Sequence, residues 1–161
     1  MYFVYTPILV ADLGYSRETA GAIASIGMLP MFLTFFWASF GARFGIRELL
    51  TWSYAATGIA TMAIGLSFGF PRLSLALLCL SAWCATTIDG AGNVPFLRAV
   101  RPLERAAMTS VFMTFRHVAS ILMPATFSLV LLVAPLSGVF VVSGAIALSM
   151  SVLSRSLPKR L

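Results

Sequence analysis

Asp89, Arg116 and His117 are the residues through which this chain could do chemistry, because each stands in a stretch otherwise free of charge. An acid or an arginine at the centre of a membrane helix costs about 2.5–3.5 kcal/mol on insertion scales. Such side chains turn to a bundle interior or a water-filled cavity, where they mark solute and ion paths. Asp89 lies nine residues before Arg98, and Arg116 eleven after Arg105. At 1.5 Å per residue both stand roughly 14–17 Å from the connection between their helices. The two helices are consecutive and antiparallel, so an ion pair or a jointly lined cavity is expected. Thr86, Asp89 and Asn93 recur at three and four residues and share one helix face, as do Thr109, Met113, Arg116 and Ser120 on the next helix. The expected pathway residues are therefore Asp89, Asn93, Arg116, His117, Thr86 and Ser120. Plainer roles stand beside this one. Asp89 and Arg116 could be a buried pair that only fixes helix register, His117 could bond a neighbouring helix, and Trp83 at mid-span reads as packing.

Catalysis is not expected. Intramembrane hydrolysis needs a nucleophile with its base, a metal set or paired acids. One histidine and one intramembrane acid supply none of these, and neither His-Glu-x-x-His nor Gly-x-Ser-x-Gly occurs. Cys79 and Cys84, five apart in one apolar segment, fall on different helix faces and read as small buried hydrophobes. No metal and no cofactor is expected.

The elements that must position these residues follow from composition. The 161 residues are 60% hydrophobic and only 10% charged, whereas a soluble domain carries about 25% charged residues to face water. Lipid is the solvent that suits such a chain. The net charge of +6 does not indicate a nucleic-acid partner, since the basic residues form no stripe and instead punctuate apolar segments. No secretory signal opens the chain: Met1-Tyr-Phe-Val-Tyr has no basic stretch and no cleavage site follows.

No charge falls between Glu18 and Arg43 or between Glu48 and Arg72, and each gap exceeds the roughly 20 apolar residues that cross hydrocarbon. Spans are expected at 20–40, 49–68, 73–96 (interrupted by Asp89), 107–133 (containing Arg116 and His117) and 139–157. Ala134-Pro135-Leu136-Ser137-Gly138 breaks the last two apart. Residues 1–10 are apolar but too short to cross, with Pro7 inside and a helix stop at Ala11-Asp12-Leu13-Gly14. Ser16 suits an N-cap, with Glu18 in the first turn. The fold class is all-α: a single polytopic transmembrane domain, 1–161, with five full spans plus a partial first helix. The chain thus begins halfway through a sixth helix, which is either a stub or the remainder of a longer frame. Gly90-Ala-Gly92 and Pro95 are expected to loosen the third full span near its end.

Alternate connections hold Arg43 and Arg47, then Arg98, Arg101 and Arg105, then Arg155, Lys159 and Arg160; the others hold only Arg17 and Arg72. Eight against two places the basic connections and the carboxyl terminus in the cytoplasm. Trp37, Trp52 and Tyr54 flank one of them, at headgroup level. Gly21-xxx-Ser25, Ala56-xxx-Ala60, Thr57-xxx-Thr61-xxx-Gly65 and Ser143-xxx-Ala147 offer small residues for close helix approach.

The connection after the first full span reads Ala38-Ser-Phe-Gly41-Ala42-Arg43-Phe44-Gly45-Ile46-Arg47. It resembles the signature loop of the major facilitator superfamily, Gly-x-x-x-Asp-Arg-x-Gly-Arg-Arg/Lys, at Arg43, Gly45 and Arg47; Ala38, Ala42 and Ile46 depart from it. Helix order agrees: a partial span, a span, the signature loop, then four more. Pro102-x-Glu104-Arg105 before the penultimate helix is similar to a basic turn of that family, and Pro124 stands where some exporters place Gly-Pro. The resemblance covers nearly the whole chain and is to a carboxy-terminal half. It implies a secondary carrier moving a small solute by alternating access, with the two charged helices at the central cavity and at the interface with another half. A proton is a candidate coupling ion, resting on Asp89 and His117, and a bacterial inner membrane is the expected location. A missing amino-terminal half or a dimer partner would complete the carrier. The competing reading is a membrane scaffold or partner subunit that transports nothing.

Overall fold

The computed structural model describes residues 2–67, 69–94, 96 and 100–156. Expectations resting on Pro95, Arg98, Lys159 and Arg160, and on span ends at Phe68 and Leu157, lie outside the described residues.

Every regular element among them is helical. The first helix, α1 (Tyr2–Asp12), ends as its sequence suggests. Gly14 takes φ +80°, its N–H bonds to the Ala11 carbonyl, and the Tyr15 N–H reaches back to the Val10 carbonyl, both at 3.0 Å. This glycine-dependent cap turns the last carbonyls inward and brings Tyr15 onto the core beside Val10. The next helix, α2 (Arg17–Met28), begins at Ser16, whose hydroxyl accepts the Thr19 N–H at 3.3 Å, with Glu18 in the first turn.

The span expected at 20–40 is not one helix. A 3₁₀ turn, Leu29–Leu33, separates α2 from α3 (Thr34–Phe44). Pro30 is the cause: it has no N–H to give the Ile26 carbonyl and its ring crowds that carbonyl. Ile26 is satisfied otherwise, by the Leu29 N–H and by the Trp83 indole N–H at 3.1 Å. Trp83 is thus more than packing, since it bonds the backbone that proline leaves open.

Gly45 alone joins α3 to α4 (Ile46–Leu66). Its φ of +92° with ψ of 134° lies where side chains are strained by about 1–3 kcal/mol, which gives the glycine of the signature loop a local reason. The following helix, α5 (Pro71–Ala91), is interrupted before the expected end at residue 96: Gly92 and Asn93 form a turn, and Val94 and Phe96 are helical again. Gly92 closes it with a 2.7 Å bond to the Ile88 carbonyl, and the glycines on either side of Ala91 weaken helix continuation. A short 3₁₀ turn, Pro102–Glu104, leads into α6 (Arg105–Val133). Ala134, extended at φ −131° and ψ 151° as a residue before proline must be, then starts α7 (Leu136–Ser154) at Pro135. The helices α4, α5, α6 and α7 are each long and apolar enough to cross a membrane.

The most extensive seam among the described residues joins α4 to α7. It rests on Gly58 and Gly144: a Cβ on Gly144 would stand 2.8 Å from the Gly58 carbonyl oxygen, and one on Gly58 would stand 2.9 Å from that of Gly144. Such approach is how helices associate in lipid, where van der Waals packing replaces the hydrophobic effect. The seam includes Gly65 of the expected small-residue pattern, against Ser137 and Val141. At its basic end Thr51 and Ser154 share a 2.9 Å hydroxyl bond, and the Ser151 hydroxyl donates to the Thr51 carbonyl at 2.9 Å.

Among the described residues two apolar clusters result. The larger joins Leu9, Val10, Ile23, Ile64, Leu78, Phe127 and Phe140 from six helices. The smaller, at the basic end, joins Ile46, Leu49, Leu50 and Ala91, with Tyr54 and Val94 against it. Helix α6 departs from this packing: only 6% of its apolar stretch is buried, against 50% in α4, with Phe127 as its buried anchor.

Candidate functional site

Where α5 ends beside α6, the two intramembrane charges meet. The Arg116 guanidinium donates from Nη2 to Asp89 Oδ1 at 3.0 Å. Asp89 reaches this place because α5 carries it on its last turn, clear of the α4 seam. Arg116 reaches it from α6, which begins after the 3₁₀ turn at residues 102–104. Both side chains are about half exposed, 48% for Arg116 and 63% for Asp89. A pair so open cannot face hydrocarbon without large cost, so it belongs on a water-filled or protein-covered surface.

Around the pair lies an open cleft of about 210 Å³. Tyr54 lines it from α4, Ile88, Asp89, Gly92 and Asn93 from the end of α5, and Phe112, Phe115, Arg116 and Ala119 from α6. The stacked rings of Phe96 and Phe112, with centroids 4.5 Å apart, tie α6 to the segment after α5. Positions 112, 115, 116 and 119 form one helix face. That face carries two aromatic rings, one alanine and one charge.

The structure brings Asp89, Asn93 and Arg116 together and leaves the other three expected residues elsewhere. Thr86 is buried and its hydroxyl bonds the Trp83 carbonyl at 2.7 Å. The Ser120 hydroxyl is turned to the His117 carbonyl, also at 2.7 Å. His117 is exposed and does not line the cleft. Asn93 joins through the turn that follows α5 rather than as a further position on its helix face.

Tyr54, Phe112 and Phe115 were not expected here. Tyr54 shares a segment with Trp52, which is exposed, and their spacing of two residues sends the rings to opposite sides of α4. Headgroup anchoring suits Trp52, while Tyr54 points inward; helical spacing from Arg116 was the available signal for Phe112 and Phe115. In the signature loop, Arg43 is exposed. Arg47 is half-buried on the first turn of α4, and its Nε has no partner among the described residues.

A second, more apolar hollow lies beside the Pro30 break, lined by Leu29, Pro30, Trp37, Leu80, Trp83, Cys84 and Thr87. Its surface holds no charged group.

Compared with known protein families, residues 1–160 match a family model described as Major Facilitator Superfamily. No curated protein and no solved structure matches the chain.

Proposed function

Since this chain belongs to the major facilitator superfamily, a family of membrane transporters, we propose that it is part of a secondary carrier that moves a small solute by alternating access along a path faced by Asp89 and Arg116. The single observation that carries this reading is the half-exposed ion pair in an open cleft between apolar helices. Charge held at that depth needs water or a polar partner. A pair that served register alone would sit between packed helices, where partners shield it.

Asn93 shares the cleft and contributes an amide to it. Thr86 and Ser120 are bonded within their own helices and stand outside this cleft. Proton coupling rests on Asp89, with His117 one residue beyond Arg116 as a second titratable group. The basic connections and the carboxyl terminus face the cytoplasm, by the excess of arginine there, and a bacterial inner membrane suits the expectation. A covering partner belongs to the same reading, because α6 leaves nearly all its apolar surface unburied by the described residues. An amino-terminal half or a second copy of the chain fits that surface.

Reconstituted vesicles offer the test, with a panel of labelled solutes and an imposed pH gradient. Arg116→Gln or Asp89→Asn lowers accumulation about tenfold or more, the scale of one lost charge-assisted hydrogen bond. Unchanged accumulation in both variants removes these residues from the path. Asp89→Asn also abolishes dependence on the pH gradient; persistence of that dependence counts against proton coupling. If vesicles with the wild-type chain and its partner accumulate nothing, the scaffold reading takes its place.

A further inference from the structure

The chemistry of the cleft narrows the class of solute, on the premise that Asp89 and Arg116 face the transport path. Arg116 and Asp89 touch at one point, Nη2 to Oδ1, rather than through the two parallel bonds an arginine and a carboxylate can form. Among the described residues neither head group makes another hydrogen bond. The remaining guanidinium N–H groups and the second carboxylate oxygen are therefore available in a cleft that is open. Rings of Tyr54, Phe112 and Phe115 line the same space.

Charge balance decides between ligand classes. A simple carboxylate that took Arg116 would leave Asp89 unpaired between apolar helices, and a simple amine that took Asp89 would strand Arg116. Once the solute fills the cleft and displaces its water, a charge left without a counter-charge there costs more than the pair itself contributes. A solute carrying both charges replaces each partner for the other and leaves the site neutral throughout. The aromatic lining then receives its apolar part, and a cation beside such rings gains further. We propose that the cleft takes a small zwitterion with an apolar or aromatic side group, of the amino-acid kind. Its carboxylate sits on Arg116, its ammonium on Asp89, and its side group against Tyr54, Phe112 and Phe115.

The experiment uses the full chain in lipid nanodiscs and tritiated L-phenylalanine as probe. Phenylacetate, which keeps only the carboxylate, and phenethylamine, which keeps only the ammonium, serve as competitors. Saturable L-phenylalanine binding is expected, with each single-charge analogue at least about tenfold weaker. Arg116→Gln and Asp89→Asn each weaken binding by about tenfold or more, and Arg116→Lys retains most of it. Thermal unfolding of each variant, compared with the wild type, separates lost binding from lost folding. Equal competition by phenylacetate makes this an anion site, equal competition by phenethylamine a cation site, and either overturns the proposal. So does absence of saturable binding to a chain that unfolds cooperatively. The two readings fail separately: accumulation of other solutes without phenylalanine binding leaves the carrier and removes the zwitterion. Binding without accumulation of any solute does the reverse.

Discussion

Neutralising Asp89 alone leaves an arginine without its counter-charge, and neutralising Arg116 alone leaves an acid; neutralising both leaves neither problem. This asymmetry separates a structural pair from a working one. The double variant Asp89→Asn/Arg116→Gln is expected to regain the stability that each single variant loses. The loss itself is small, within about 1 kcal/mol, because the pair is half exposed and screened. Transport stays abolished in the double variant if the charges serve the solute, and returns if they serve only register. Thermal unfolding and vesicle uptake, measured on the same three variants, read the two quantities side by side. The pair itself was legible in the sequence, because charge is rare there and helix rise fixes depth. The aromatic lining was not. Rings in a membrane chain suit lipid, core and cavity equally, and only the rotation of α4 and α6 about their axes sorts them.

Among the elements, those bounded by backbone chemistry were the most readable. Ser16, Gly14 and Pro135 each act within one turn of themselves, so their effect needs no knowledge of the fold. Pro30 acts locally too, yet its charge-free surroundings read as one continuous span of suitable length. What made the break tolerable is a tryptophan from another helix, 57 residues away, and no local pattern announces such a donor. This arrangement makes a coupled prediction. Trp83→Phe is expected to cost roughly 1 kcal/mol by leaving the Ile26 carbonyl with a single, 3₁₀-type partner. In a Pro30→Ala background that carbonyl regains its helical N–H, so the same tryptophan substitution costs measurably less. A double-mutant cycle of unfolding midpoints checks it; strict additivity would mean the indole bond contributes nothing.

The α4–α7 seam shows a different kind of limit. Small-residue spacings are frequent enough in apolar helices that the sequence offers several, and Gly58 and Gly144 were not among them. Their partnership is visible only once two helices are in register. Gly144→Val is expected to destabilise the chain by about 1–3 kcal/mol, since a Cβ there meets Met62 N at 2.7 Å with backbone on both sides. Thermal unfolding in detergent measures it. The same substitution at Gly21, where nothing stands within 4 Å, supplies the control and leaves the midpoint near that of the wild type.

Over the whole molecule, packing is uneven in a way that bears on alternating access. One pair of helices is closed tightly by glycines and hydroxyls, while α6 is held by Phe127, by the stacked Phe96 and Phe112, and by the ion pair. In the proposed carrier the glycine seam would serve as the rigid strut and the loosely held α6 as the wall that rocks against it. The tight seam also has a bearing on how the protein is made. Thr51 and Ser154 stand 103 residues apart, so the most extensive contact among the described residues joins two helices made well apart in time, α4 before α7. Until α7 leaves the ribosome, the groove around Gly58 has no occupant, and the nascent chain must wait in the bilayer with its best interface unmade. A stop codon after Val133 would keep it in that state permanently. Pulse-chase labelling in cells is expected to show the shortened chain inserted but degraded several times faster than the full one. Equal lifetimes would mean that quality control does not sense this seam.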